Sequence, residues 1–183
     1  MRIACILTFI LICTNVNASI EKKIIKKFNK IENLSFNFTQ TVGGKDETGN
    51  CIIKYPKKIF CKYNYRFNKI LVSNGKSLVI KSDKNKQYYL YPLERTPLIY
   101  LLNKKLILEK ISKLRSERLN DKFLMFSISQ EQQKINIFFS NESLDLVGWQ
   151  TEDIYQNLSV TYIYDLKINK EINEKVFELP KPY

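Results

Sequence analysis

The spacing of apolar residues changes abruptly along this chain. Ile20, Ile24, Phe28 and Ile31 recur at intervals of three and four with Ile25 beside them, which predicts an amphipathic helix over 19–31. Ser19 suits its N-cap, Glu21 its positive first turn, and lysines fill the opposite face. From Asn33 the period drops to two. Leu34, Phe36, Phe38 and Gln40 alternate with Ser35, Asn37, Thr39 and Thr41, the pattern of a half-buried strand. Gly43-Gly44 with Lys45-Asp46 marks a turn. Strands over 48–55 and 58–67 follow, folded about Tyr55-Pro56-Lys57. Strands over 69–73 and 77–82 flank Asn74-Gly75, the favoured type I′ dipeptide, in a register that sets Leu71 opposite Leu78 with Ile80 on their side. The tyrosine-rich run 87–91 is a sixth strand.

Thr96-Pro97 reads as an N-cap followed by proline at the first helical position. Leu98, Leu101 and Leu102 give that helix an apolar face, with Tyr100 on another side. The stretch 103–120 fits a loop or short helix and then a strand near 113–119. Alternation returns in Leu124, Phe126 and Ile128, in Ile135, Ile137 and Phe139, and in Val147, Trp149 and Thr151, with turns expected near Glu131-Gln132 and over 153–157. Leu158, Val160, Tyr162 and Tyr164 form a last long strand, and Phe177 and Leu179 close the chain. The sum is an antiparallel meander with one helix before it and one within it. A sheet of ~10 strands curls or closes, and its apolar face has to be covered by the helices.

One hairpin stands out. In 49–65, Cys51 and Cys61 lie at mirrored distances from Pro56 and fall opposite one another. Cys51 shares a face with Ile53 and Tyr55, and Cys61 with Ile59, Tyr63 and Tyr65. The hairpin thus supplies an apolar, aromatic inner wall and a pair of cysteines, either bonded to each other or reduced and buried in that wall.

The N-terminus bears on that choice. Arg2, the apolar run from Ile3 to Cys13, and Val16-Asn17-Ala18 read as a signal peptide over 1–18, cut after Ala18. The apolar run is far short of the ~20 residues that span a bilayer. Residues 19–183 then form one domain in an oxidising compartment, where two cysteines favour pairing. The net charge of +12 comes from lysines scattered along every segment. No basic run or RNA-binding motif accompanies it, so no nucleic-acid partner is expected. The chain has no histidine, which excludes His-based triads and histidine metal sites. No pair of carboxylates is spaced as an acid and a base. Neither an enzyme nor a cofactor or metal is expected.

Phe38-Thr39-Gln40, Gly49, Lys54 with Pro56, Ser73-Asn74-Gly75-Lys76, Thr96-Pro97-Leu98 with Leu101-Leu102, Trp149, and 177–180 occur in order along nearly the whole exported chain. In this ordered set the chain resembles the outer-membrane lipoprotein carrier protein family, LolA. The resemblance implies a mainly β (α+β) fold. It would be an incomplete antiparallel β-barrel of about ten to eleven strands, closed by short helices over a hydrophobic cavity. It implies a periplasmic chaperone, acting as a monomer. Such a chaperone takes acylated lipoproteins from an inner-membrane ABC release complex to the outer membrane, and to a receptor there where one exists. Related half-barrels bind lipids or sense envelope stress, and such a module is the alternative.

Burying one methylene is worth ~0.8 kcal/mol, so an acylated cargo needs an escort with an apolar concave wall. Leu34, Phe36, Phe38, Ile53, Tyr63, Tyr65, Leu78, Ile80, Leu98, Leu101 and Leu102 are the candidates for lining it, although a core side chain follows the same pattern. Tyr55 and Pro56 occupy the family's lid-latching turn. Relatives carry an arginine at the position of Tyr55, so the latch here is absent, weaker, or made by another residue such as Lys54 or Lys57.

Overall fold

A computed structural model describes residues 19–64, 68–130, 133–152 and 158–183. The expected signal peptide over 1–18, Tyr65 to Phe67 of the third strand, and the turns at 131–132 and 153–157 lie outside the described residues. Helix α1 (Ile20–Asn29) comes first, and Ser19 caps it by accepting from Lys22 N–H. Six strands follow: β1 (Asn33–Val42), β2 (Lys45–Lys54), β3 (Lys58–Tyr63), β4 (Lys69–Asn74), β5 (Ser77–Ser82) and β6 (Gln87–Pro92). Helices α2 (Leu98–Leu102) and α3 (Lys104–Lys113) lead to β7 (Glu117–Leu119), β8 (Phe123–Gln130), β9 (Gln133–Ser140), β10 (Leu146–Glu152) and β11 (Leu158–Ile168).

The strands form one antiparallel sheet of eleven, ordered 6-5-4-3-2-1-11-10-9-8-7. Two meanders are thus joined where the first strand meets the last, and β6 and β7 are left as free edges. Phe38 lies opposite Ile163 across that seam, and Gln40 opposite Thr161. Paired asparagines clasp its end: Asn169 Oδ1 accepts from the N–H of Glu32 at 2.7 Å, while Asn33 Oδ1 accepts from Lys170 N–H at 3.0 Å. The sheet is an open barrel, as expected.

Period-two burial gives the sheet a concave apolar face. Leu34, Phe36, Phe38, Cys51, Ile53, Ile59, Cys61, Phe126, Ile137 and Trp149 are buried there. α1 covers one end. Phe28 meets Tyr55 and Phe139 edge-to-face at 5.6 and 5.9 Å. On the convex face the C-terminal segment crosses β3 and β4, burying Phe177.

Three local expectations are corrected. The β4–β5 turn centres on Gly75-Lys76, and only Gly75 takes positive φ, at 98°. Asn74 stays outside the turn centre because its Oδ1 accepts from the N–H groups of Lys76 and Ser77, both at 3.0 Å. That shift sets Leu71 opposite Ile80 and Leu78 opposite Ser73. Thr96 does not cap α2, because its hydroxyl donates back to Leu93 C=O at 2.8 Å and closes the preceding turn. Tyr100, on another side of α2 from Leu98 as expected, is buried along with Ile99, Leu101 and Leu102. The stretch after Asn103 is a full helix, α3, whose first turn is capped by Asn103 accepting from Leu106 N–H at 3.3 Å.

Candidate functional site

The concave wall is filled at the α1 end and open at the other. Beyond Phe38, β1 presents Gln40 and Val42, β3 ends in Tyr63, and β4 begins at Lys69. A cavity of about 280 Å³ lies there. It is lined by Phe38, Cys51, Ile59, Cys61, Tyr63, Leu71, Leu78, Ile80, Leu98 and Trp149, with Gln40, Val42, Lys69, Thr151, Ser159 and Thr161 towards its mouth. Of the expected lining residues, the structure brings Phe38, Tyr63, Leu78, Ile80 and Leu98 to this space. Leu34, Phe36, Ile53, Leu101 and Leu102 lie instead in the filled part, each under 5% exposed, packed between sheet and helices. Tyr65 lies outside the described residues.

Cys51 and Cys61 are bonded to each other and directly paired, with Cα atoms 4.1 Å apart. Their bridge ties β2 to β3 in the cavity wall. Next to it Gly49 pairs with Phe38 on one side and Tyr63 on the other. With no side chain between them, the two rings meet edge-to-face at 5.0 Å.

A polar rim borders this apolar body. Tyr63 hydroxyl donates to Gln40 Oε1 at 2.8 Å, and Gln40 Nε2 donates to Thr161 Oγ1 at 3.0 Å. Burial, helped by the charge on Glu47, pushes the Tyr63 hydroxyl well above the ordinary phenol range, so it stays a neutral donor. Lys69 is ion-paired with Glu47, and its Nζ sits 3.9 Å from the centre of the Tyr63 ring. Nothing in the alternation pointed to this chain of contacts, because it joins residues remote in sequence.

The roof is α2 with α3, and the cysteine hairpin holds it. Lys57, at the hairpin turn, donates its N–H to Leu102 C=O at 2.7 Å and pairs its Nζ with Glu94 at 2.8 Å. Lys104 Nζ donates to the carbonyls of Asn29 and Ile31, at 3.2 and 2.9 Å, where α1 ends. Tyr55 precedes a cis bond to Pro56 and lies buried beneath, its N–H donating to Glu32 C=O at 2.9 Å. Its hydroxyl has no hydrogen-bond partner among the described residues, and burial pushes its ionisation far up. Lys54 points elsewhere, to Glu174. Among the described residues, the hydrogen bond from turn to roof is thus made by Lys57.

The site is therefore a roofed and partly unfilled apolar hollow on the concave face of a curved, open sheet. Residues 29–180 match the family described as outer membrane lipoprotein carrier protein LolA, and the chain belongs to that family. No curated protein sequence matches it. A putative outer membrane lipoprotein-sorting protein domain from Vibrio parahaemolyticus is similar in fold, with TM-score 0.50, 7% identity, and 86% of this chain and 94% of that one covered. A LolA superfamily protein from Nitrosomonas europaea gives TM-score 0.47 at 10% identity, over 88% of this chain and 99% of that one. A conserved protein from Thermus thermophilus gives 0.49 at 8% identity, over 88% and 93%.

Proposed function

We propose that this chain is a periplasmic carrier that shelters the acyl chains of lipoproteins between the inner and the outer membrane. The observation that carries the reading is the cavity beside the Cys51–Cys61 bridge, an apolar hollow with a polar rim on the concave wall of a LolA-family sheet. The disulfide and the signal-like residues 1–18 support export to an oxidising compartment. On this reading the work is binding, and the rim's donors and acceptors are bonded to one another. An inner-membrane ABC complex loads the carrier, and an outer-membrane acceptor takes the cargo.

At about 280 Å³ the hollow lies just below the ~300–1,000 Å³ usual for ligand pockets. The closed form takes part of one acyl chain. A cargo with several chains requires α2 and α3 to lift, which adds Leu34, Phe36, Ile53, Leu101 and Leu102 to the wall. The test is binding of a fluorescent fatty acid and of a diacylated lipopeptide to the exported protein, with Ile80→Trp as the plugged variant. Ile80 is only partly buried, so the larger ring fills the hollow without displacing core. We expect both ligands to bind and the variant to weaken them at least tenfold at unchanged melting temperature. A folded protein that binds neither ligand ends the proposal.

A further inference from the structure

β6 is the free edge of the sheet beside the cavity, and its register shows which backbone groups are unused. Leu93 N–H donates to Lys76 C=O at 2.9 Å, one step beyond the Pro92–Ser77 pair. Pairs in an antiparallel ladder alternate between those that exchange both hydrogen bonds and those that exchange none. Counting back from Leu93, Tyr91, Tyr89 and Gln87 bond to Leu78, Ile80 and Ser82 of β5. Tyr88 and Leu90 therefore turn N–H and C=O away from the sheet, and Pro92 turns out a carbonyl alone. No strand covers that side among the described residues.

Tyr89 and Tyr91 stand on the concave face, because their partners Ile80 and Leu78 line the cavity. Their rings stack 6.4 Å apart at 16°, and they are 44% and 41% exposed. Beside them runs a second hollow of about 390 Å³, bordered by Glu47, Lys69, Ile80, Lys84, Tyr89 and Tyr91. Lys69 and Ile80 border both hollows, so the apolar cavity continues into the groove along β6. A molecule with its acyl end in the first emerges along the second, past an aromatic pair and a strand edge with free donors and acceptors. Free edges are ordinarily guarded by charge, yet 88–91 carries none.

We propose that this groove is a peptide subsite: the polypeptide next to the acylated end of a cargo pairs with β6 as an added strand and lays alternate side chains on Tyr89 and Tyr91. Main-chain pairing gives affinity with little regard to sequence, which suits a carrier of many cargoes. With Lys69 already paired to Glu47, Lys84 leaves the groove with one net positive charge, which favours neutral or acidic segments. This rests on the carrier reading above and adds to it the part of the cargo that lies outside the cavity.

The test compares three ligands on the exported protein: palmitate, a palmitoylated hexapeptide, and the same hexapeptide with its backbone nitrogens methylated. Methylation removes the donors that strand pairing needs. It should weaken binding about tenfold, as expected for two lost hydrogen bonds. Leu90→Pro deletes an N–H that β5 does not use, on an edge where proline is tolerated. It should weaken the unmethylated hexapeptide about tenfold and leave palmitate unchanged, with an unaltered circular dichroism spectrum. Equal affinity of the two hexapeptides, with palmitate bound, overturns the subsite alone, and so does an equal loss of palmitate and hexapeptide in a folded variant. Failure of all three ligands overturns the carrier reading and the subsite together. If the variant does not fold, the two hexapeptides on the unaltered protein decide.

Discussion

Phe38 and Tyr63 touch edge-to-face across a strand that lies between them, and they can do so because that strand offers Gly49 at the crossing. A Cβ built on Gly49 would run into the Lys62 carbonyl and come within 2.9 Å of the Phe38 ring. The carbonyl is backbone and cannot rotate away. Gly49→Ala is expected to destabilise by about 1–3 kcal/mol, the usual cost of overpacking. The shift of the urea midpoint measures it. An unchanged midpoint would mean that β2 and β3 part at no cost.

The Cys51–Cys61 bridge closes a short loop, with a sequence separation of 10. In the chain-entropy account such a loop contributes roughly 3 kcal/mol by restricting the unfolded chain. Cys51→Ala with Cys61→Ala, or added reductant, should lower stability by about that amount. Denaturation with and without reductant checks it, and the double variant should show no response to reductant.

Tyr55 sits where the family resemblance implied a latching arginine, yet its hydroxyl is buried with no partner among the described residues. Leaving such a group unbonded costs about 1–3 kcal/mol. Tyr55→Phe keeps the ring on Phe28 and removes the cost, so stability should rise by about 1 kcal/mol while fatty-acid affinity stays within twofold. A loss of affinity would show that the hydroxyl finds a partner when the roof lifts.

Glu21 accepts from the N–H and hydroxyl of Ser116, at 3.3 and 3.1 Å, tying α1 to the chain after α3. Burial pushes its carboxyl up, but hydrogen bonds from its own backbone and from Ser116 outweigh this and hold it below the ordinary 4.5. With the folded value below the unfolded one, the unfolded chain takes the proton first as pH falls. The contribution is complete above about pH 4.5 and is lost as pH drops through the lowered value. Thermal melts across pH 3 to 6 should show a shallower acid slope for Glu21→Gln. Identical slopes would count against the contact.

Most of the sheet was legible because one face is buried, and a period of two then marks every inward residue, from Leu34-Phe36-Phe38 to Ile135-Ile137-Phe139. The cysteine pairing was legible because its register depends on a short local turn. α3 was harder: Leu106, Ile107, Leu108 and Ile111 suit either element, with Ile107 and Ile111 fully buried and Leu106 and Leu108 packed against the core from its edge. The Asn74-Gly75 turn was misread because the asparagine spends its side chain on the following N–H groups. The limits of the cavity were beyond reach, since Leu34 and Phe38 follow the same alternation and differ only in whether a helix side chain fills the space above them. The Tyr63–Gln40–Thr161 rim was hidden for another reason: its second bond links positions 121 apart.

The seam between β1 and β11 has a consequence for how the protein is made. The two strands at the middle of the sheet are the first and the last in chain order, so the centre of the wall is completed only once all the other strands have been made. Until then β1 lacks a neighbour, and loop closure over more than a hundred residues is still to come. The early meander waits, half-made and sticky, for its other half. A chain stopped before Leu158 is expected to stay sensitive to protease along its whole length. Protection of the first six strands in that fragment would show that they form a folding unit by themselves.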